Sequence, residues 1–315
     1  MYYGKSLLAS MVLISSGLLI ASADLDEKVA KNRHELMHIL RWESENSATV
    51  ARVAELVRDG IGNIDERETG DQVTALELAV IRIAPEWCRL LLQAGAGINV
   101  PGSHITVGHL LTNYQESPFL AGNRSRFDQG CAVMNLLIQY HYDINSLDNA
   151  GETPLHELYS SCLQGGMTEE AAEYFLRHGA DITIPSRCRN NLRLIDCAPK
   201  NSPMGRAIRK IAQENLIRSI NLDDTVGIKN ALLRGASVGM QDRNGNNVFH
   251  IAAMRIGNHA SMTTFTYLLS LPIHAIGHYL NVLNHDRDTP MHILVLNGNA
   301  QDILNDIAHL PMPTI

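Results

Sequence analysis

Short apolar segments recur along the chain, and several of them end in the same way. Residues 91–96, 175–180 and 231–236 each have two apolar residues followed, after two more positions, by Gly-Ala. A glycine directly after an apolar helical segment is typical of a helix C-terminus, because it adopts the left-handed conformation without the steric cost of a Cβ atom. The pattern predicts that Gly179 and Gly235 end helices and that the chain is built from short, repeated helical segments.

A second motif, Thr-Pro-Leu-His, stands about twenty residues before one of these endings and has weaker copies elsewhere. A threonine hydroxyl can accept a backbone N–H at a helix start, and proline fits the first turn because its missing N–H would have no partner there. The Asp-x-x-Gly before the motif favours a tight turn. The residues to which we assign this structural role are Thr153, Pro154, Leu155, His156, His250, Thr289, Pro290 and His292.

These motifs resemble the ankyrin repeat, whose unit of about 33 residues carries the same signature. The resemblance covers roughly residues 35–310, with about seven units of uneven quality. It implies an all-α fold, an ankyrin-repeat solenoid of stacked helix-turn-helix units with short turns or β-hairpin fingers. It also implies that His156 uses a ring N–H to tie adjacent turns together.

The spacing departs from this family pattern in two places. Residues 113–129 form an insertion between the two helices of one unit, and Gly165-Gly166 loosens the same connection in the next. We interpret residues 191–212 as a diverged unit and expect the following unit to begin afresh at Leu216.

The N-terminus has the pattern of a secretory signal peptide. Lys5 precedes an apolar run over residues 7–20, which ends in Ala21-Ser22-Ala23, the small-x-small pattern that signal peptidase reads. We expect cleavage after Ala23. An uncleaved anchor and an apolar helix capping the stack are the alternatives, but the run is short for a bilayer, which requires about 20 residues.

The sequence between this segment and the C-terminus contains no Pro/Ser-rich or charged linker. A repeat stack has no natural internal boundary, so we expect one extended domain. The predicted organisation is a signal peptide (1–23), an N-terminal capping helix region (24–46), an ankyrin-repeat domain (47–310) and a tail (311–315). Because aromatic residues make up only 5% of the chain, we expect a core of Leu, Ile, Ala and Val.

The formal net charge of −7 argues against nucleic-acid binding, which relies on basic side chains that neutralise phosphates. The most basic neighbourhood runs from Arg187 to Lys210, and we interpret it as a solvated face rather than a binding site for an anionic partner.

Cysteines and histidines give no strong indication of a catalytic or metal site. An odd number of cysteines, five, contrasts with export to an oxidising compartment. Cys88 and Cys131 fall in predicted second helices, where we expect them to be buried packing residues. Cys188 and Cys197 could form a disulfide. The spacing His34-x-x-x-His38 and His274-x-x-x-His278 lacks the glutamate of a protease motif and a third ligand. We expect no metal and no cofactor.

The resemblance implies a protein-binding scaffold that presents a concave surface of turn tips and first helices, and we expect no enzymatic activity. We expect a monomer that binds a protein partner, without nucleic acid and without stable membrane insertion after cleavage. By position, the partner-binding turn tips are Asp65, Glu66, Arg67, Glu68, Leu147, Asp148, Asn149, Asp242, Arg243, Asn244, His285, Asp286 and Arg287. Polar side chains of this kind are typical of an interface rim, although turns are also polar for solubility alone.

The alternative is an extracytoplasmic enzyme, or a metal or redox accessory factor, that uses the 113–129 insertion and the cysteines. Convergence of His109, Arg124 and Arg126 with Cys131 or a carboxylate in a closed cleft would favour it.

Exported ankyrin-repeat proteins are mostly bacterial. The resemblance therefore implies either a periplasmic accessory protein or a secreted effector that acts in a host cell. In a eukaryotic secreted protein, Asn123-Arg124-Ser125 would be a glycosylation acceptor.

Overall fold

The computed structural model describes residues 24–67, 72–101, 105–112, 117–120, 123–162, 168–256, 263–272 and 277–297. The predicted signal peptide with its cleavage site at Ala23, Glu68 and the Gly165-Gly166 connection lie outside the described residues. The chain divides into two compact units between Leu194 and Ile195, and each is described by itself. The single domain inferred for residues 47–310 stays a prediction.

The first unit is built from short helices joined by tight turns. Its elements are α1 (24–42), α2 (Ser47–Asp59), α3 (Ala75–Ile81), α4 (Pro85–Gln93), α5 (Val107–Thr112), α6 (Arg124–Gln139), α7 (Pro154–Cys162), α8 (Glu169–Arg177), β1 (Pro185–Ser186), a 3-10 turn (Arg187–Arg189) and β2 (Leu192–Arg193). The two strands pair antiparallel, with Pro185 opposite Arg193 and Ser186 opposite Leu192. The four-residue helix α9 (Leu194–Cys197) spans the division between the units.

The second unit has the same organisation with one much longer helix. Its elements are α10 (Pro203–Leu222), α11 (Thr225–Leu233), α12 (Val248–Ile256), α13 (Thr263–Leu269), a 3-10 turn (Tyr279–Asn281) and α14 (Pro290–Asn297). In the described residues, no helix is long and apolar enough to cross a membrane.

Helices within each unit pack in two layers. In the first unit α3 contacts α5 and α5 contacts α7, which form an inner layer, while α2 contacts α4 and α4 contacts α6, which form an outer layer. In the second unit the inner layer is α10, α12 and α14, and the outer layer is α11 and α13. Helix-turn-helix pairs that stack layer on layer confirm the all-α, ankyrin-type fold predicted from the motifs.

The core contains more aromatic side chains than the composition suggests. Trp87, Phe119, Phe175, Phe249 and Phe265 are fully buried, alongside the expected aliphatic residues. The rings of Phe119 and Phe175 meet edge to face with centroids 5.0 Å apart, a favourable aromatic geometry. Because Phe119 belongs to the 113–129 insertion, that segment is anchored in the core of the first unit.

The prediction of a new start at Leu216 was wrong. Residues 203–222 form one continuous 20-residue helix, α10, which is the inner partner of α11. The reason is local: the stretch Ala212-Gln213-Glu214-Asn215-Leu216 contains neither Gly nor Pro, and Gln213 and Leu216 both face the interior. The insertion is likewise shorter than predicted, because α6 already begins at Arg124, capped by the side chain of Asn123.

The repeated motif starts the inner helices as predicted. The Thr153 N–H donates to Nδ1 of His156 over 3.1 Å, so Nδ1 carries no proton and the opposite ring nitrogen does. That nitrogen, Nε2, donates to the Ile184 carbonyl 3.1 Å away in the following turn. His250 repeats the arrangement, accepting from the Asn247 N–H at 3.1 Å and donating to the Asp288 carbonyl at 3.1 Å.

The hydrogen bonds of the motif histidine predict that its replacement destabilises the protein more in one copy of the motif than in another. We expect His156→Ala to lower the free energy of unfolding by about 2 kcal/mol or more, because it removes the partner of the buried Thr153 N–H and of the half-buried Ile184 carbonyl. His156 is 0% exposed. Urea or thermal denaturation followed by circular dichroism measures the loss.

His292→Ala is the matched control, because His292 occupies the same motif position and accepts from the Thr289 N–H at 3.2 Å but is exposed. We expect it to cost less than about 1 kcal/mol. Equal losses for both variants would contradict the role assigned to the buried ring.

Candidate functional site

The turns that precede the inner helices, which we call fingers, share one hydrogen-bonding pattern. In the fingers that begin at Asp148, Asp242 and Asn284, the first residue's N–H donates to the carbonyl four positions later, over 2.8–2.9 Å. Its carbonyl accepts from the N–H three positions later over 3.0–3.1 Å, and the residue there adopts positive φ. That residue is Gly151 or Gly245 in the first two fingers and Arg287, with φ +65°, in the third.

The first side chain of each finger holds the turn closed. Asp148 accepts from the Glu152 N–H at 2.8 Å, and Asn284 accepts from the Asp286 and Asp288 N–H groups at 3.0 and 2.9 Å. Asp242 accepts from the backbone N–H groups of Asn244 and Asn246, each at 2.8 Å. Partial burial would raise the pKa of Asp242, but these N–H donors together lower it. These carboxylates and amides therefore build the turn on which the neighbouring tip residues stand.

Neighbouring fingers are joined directly. The His285 N–H donates to the Asn244 carbonyl at 2.9 Å, and Asn284 Nδ2 donates to Asn246 Oδ1 at 3.0 Å. A Cβ atom at Gly245 would lie 3.1 Å from the His285 backbone nitrogen, so the close approach requires glycine there. The second-unit fingers are thus a rigid, continuous edge.

The first group of predicted tips is mostly engaged in internal contacts. Asp65 accepts from the Gly97 N–H at 2.7 Å, and Glu66 pairs with Arg33. Arg67 forms a two-point ion pair with Glu77, at 3.0 and 3.2 Å, and donates to the Val100 carbonyl at 3.3 Å. Its side chain is only 16% exposed, so Arg67 joins two fingers and is poorly placed to reach a partner.

The second group of predicted tips lines a groove in the first unit. Leu147, Asp148 and Asn149 meet the preceding finger, Ile98–Pro101, and the start of α5 around a cavity of about 160 Å³. Leu147 is 48% exposed and Ile105 is 36% exposed, which gives the groove apolar contact surface. The structure thereby brings together residues from two fingers and two inner helices, because Glu77 of α3 also lines this groove.

A much larger groove, of about 1080 Å³, lies in the second unit. One wall is the face of α10 that carries Arg206, Arg209, Lys210 and Ile217, and the other is the finger with Met240, Asp242 and Arg243. Val248 and Ile251 of α12, together with Tyr279, complete the lining. Asn244, His285, Asp286 and Arg287, the remaining predicted tips, are exposed on the same row of fingers but are not part of this lining.

The α10 wall was not predicted from the sequence. We interpreted Arg206, Arg209 and Lys210 as a solvated face, whereas the structure places them along the groove with Ile217. Arg209, Lys210 and Ile217 follow Arg206 by three, four and eleven positions, which places all four on one face of a helix. That spacing could have identified the wall from sequence, but only with α10 recognised as one continuous helix.

The insertion at residues 113–129 was the other candidate site. In and around it, His109, Arg124 and Cys131 each have a separate environment. His109 accepts from the Thr106 hydroxyl at 2.7 Å and donates to the Glu152 carbonyl at 3.0 Å. Arg124 pairs with Asp128 at 3.0 Å and with Glu170 at 2.5 Å on the surface. Burial raises the pKa of Cys131 to about 12, which keeps its thiol protonated and unreactive near neutral pH. In the described residues, His109, Arg124 and Cys131 therefore have different partners rather than the common cleft that would favour an enzyme.

Cysteines and metal-ligating residues give the same result. Cys88 is a buried thiol and Cys131 a half-buried one, and the disulfide considered between Cys188 and Cys197 is not present in this structure. Across the described ranges, no group of three His, Cys, Asp or Glu side chains is placed to hold a metal ion. His274 lies outside the described residues.

Comparisons with known proteins add a fold-level likeness. No protein-family model matches the chain, and no curated protein matches it either. Among solved structures, it is similar to the ankyrin repeat domain of Bcl-3, described as a unique member of the IkappaB protein family. The match has 20% sequence identity and a TM-score of 0.36, over 87% of this chain and 96% of that one.

The buried histidines predict a pH dependence of stability. Burial lowers the pKa of His109 and His250 below the ordinary value of 6.5, so the folded state favours neutral rings. The unfolded chain binds protons more readily, so their contribution is complete above pH about 6.5 and is lost as the pH falls towards the folded-state pKa. We expect the melting temperature to decrease as the pH is lowered from 7.5 to 5.5.

The double variant His109→Gln, His250→Gln isolates this effect, because glutamine does not titrate. Burial raises the pKa of Glu157, which acts in the opposite direction and is present in both proteins. A melting temperature that falls by the same amount in wild type and double variant would show that these histidines are not responsible.

Proposed function

We propose that this chain is a monomeric, non-enzymatic scaffold that binds a partner protein through the grooves between its fingers and its inner helices. The observation that carries the proposal is that predicted tip residues meet inner-helix residues in a groove in each unit. Leu147 and Asn149 do so in the first unit, and Arg243 does so in the second. Grooves with apolar contact surface and a polar rim are the general anatomy of protein interfaces.

The rigidity of the fingers supports this function. Binding is weakened when loops must be ordered on association, and a pre-organised surface avoids that cost. In the second unit, hydrogen bonds within each finger and between neighbouring fingers hold the backbone before any partner arrives. The exposed side chains at the tips of these fingers then determine which partner fits.

Exposed apolar side chains in the two grooves give a direct test. We expect Leu147→Glu and Met240→Glu to abolish or greatly weaken partner capture, because each places a charge on apolar contact surface; these residues are 48% and 57% exposed. The tagged protein is used to capture binders from periplasmic and host-cell extracts, which are identified by mass spectrometry.

Leu233→Glu is the matched control, because Leu233 is 71% exposed but lies at the end of the outer helix α11. Helical circular dichroism should be unchanged in all three variants. If the captured proteins bind both groove variants as well as wild type, the grooves are not the binding surface and the proposal fails.

We further propose that the protein is exported, on the basis of its N-terminal sequence. The support is the apolar run followed by Ala21-Ser22-Ala23. N-terminal sequencing of the protein purified from its native source should begin at Asp24, and cell fractionation should place it in the periplasm, in the medium or in a host cell. An intact Met1 together with a cytoplasmic location would exclude export through this signal.

A further inference from the structure

The groove of the second unit is basic in a chain whose net charge is −7. Its lining contains four basic side chains, Arg206, Arg209, Lys210 and Arg243, against two acidic ones, Glu214 and Asp242. The basic groups come from both walls, three from α10 and one from the finger. A surface that concentrates one sign of charge in this way attracts ligands of the opposite sign and repels those of its own.

The two acidic residues leave the four basic ones in excess, and one of them has a structural role. The Asp242 carboxylate already accepts three hydrogen bonds, from the Asn244 and Asn246 N–H groups at 2.8 Å each and from Asn246 Nδ2 at 3.2 Å. It is therefore committed to closing the finger. Glu214 of α10 is the other acidic residue of the lining, so the basic side chains outnumber the acidic ones by four to two.

The same groove has an apolar floor. Ile217, Val248, Ile251 and the ring of Tyr279 line it, and Met240 stands at its edge with 57% of its surface exposed. Methionine adapts its shape to an apolar partner because its side chain is unbranched and flexible. A free phosphate or a purely acidic polymer would leave this apolar surface without a contact.

We propose that this groove binds a short, extended acidic segment of a partner protein that also carries a bulky apolar side chain. The inference rests on the proposed scaffold function and names its ligand in the second unit. The acidic groups pair with Arg209 and Arg243 on opposite walls, and the apolar side chain packs on Met240 and the floor. Both features of the segment are required together.

The dimensions of the groove favour an extended segment over a helix. The lining residues of α10 run from Arg206 to Ile217, a distance of about 16 Å along the helix axis. An extended chain covers about 16 Å with five residues. A helix of that length would have about 11 residues, and isolated helices that short are only marginally stable in water.

A peptide-selection experiment tests the proposal without knowledge of the partner. A phage-displayed library of random 12-residue peptides is selected on the full-length protein and, in parallel, on the Arg209→Glu, Arg243→Glu variant. We expect wild type alone to enrich peptides with two or more acidic residues and one bulky apolar residue. The affinities of synthetic copies are then measured by fluorescence anisotropy.

Reversing both charges should weaken binding about tenfold or more, because two attractions become repulsions. Met240→Glu should weaken it comparably, and replacing the apolar residue of the peptide with serine should have the same effect. Binding should also weaken with added NaCl, which screens exposed charges. The control Arg218→Glu, Lys229→Glu makes the same charge change at exposed positions outside the groove lining and should leave affinity unchanged.

Three results would overturn the inference. The first is enrichment of the same peptides on the charge-reversed variant, or of none with acidic residues on wild type. The second is affinity that ignores Met240→Glu and the serine substitution, which would indicate a general polyanion surface. The third is a heparin fragment or a single-stranded oligonucleotide that displaces the peptides and itself binds tightly, independently of Met240.

The outcome is separable from that of the scaffold proposal. Captured proteins that depend on Leu147 and Met240, combined with no preference for acidic peptides, would remove only the present inference. Captured proteins that ignore both groove variants would remove the scaffold proposal itself.

Discussion

The bond from a helix-start histidine to the carbonyl of the next finger is the interaction on which the rest of the structure depends. A single helix pair leaves one apolar face uncovered, and stacking on a neighbour is what buries it. Stacking alone leaves the relative position of neighbouring fingers undetermined, because apolar contacts are not directional. The rings of His109, His156 and His250 determine it, since each accepts at its own helix start and donates to a backbone carbonyl one finger further on. Where histidine is missing, at Glu77, the Arg67 guanidinium makes the same connection by reaching the Val100 carbonyl.

Fingers whose positions are determined in this way divide their polar residues between two tasks. Asp148, Asp242 and Asn284 use their side chains to close the turns, whereas Leu147, Asn149 and Arg243 stand beside them in the grooves. Polarity at a turn tip is thus a poor guide to binding, because a carboxylate such as Asp242, which accepts two backbone N–H groups and one side-chain amide, is already satisfied. The groove of the second unit shows what remains for a partner: basic side chains on two walls over an apolar floor.

The insertion at residues 113–129 shows how composition can mislead about packing. Five per cent aromatic residues suggested an aliphatic core, yet Phe119 is buried against Phe175 and Phe127 reaches the same cluster. A departure from the repeat pattern suggested a surface loop with its own chemistry. Instead, in the described residues of the insertion, Phe119 is buried and the residues from Arg124 onward form the first turns of α6.

Local sequence patterns were enough to predict where inner helices begin, where glycine ends an outer helix, and which turns close tightly. Residues of this kind affect only a few neighbouring positions, so their effect can be predicted from a short segment of sequence. Examples are Thr153, Pro154, Gly179 and the Asp-x-x-Gly turns. The packing of the elements established that Arg67 faces inward and that Arg206, Arg209 and Lys210 form a wall opposite Arg243. Those outcomes depend on which elements pack together, and charges more than thirty residues apart become neighbours only after the layers have stacked.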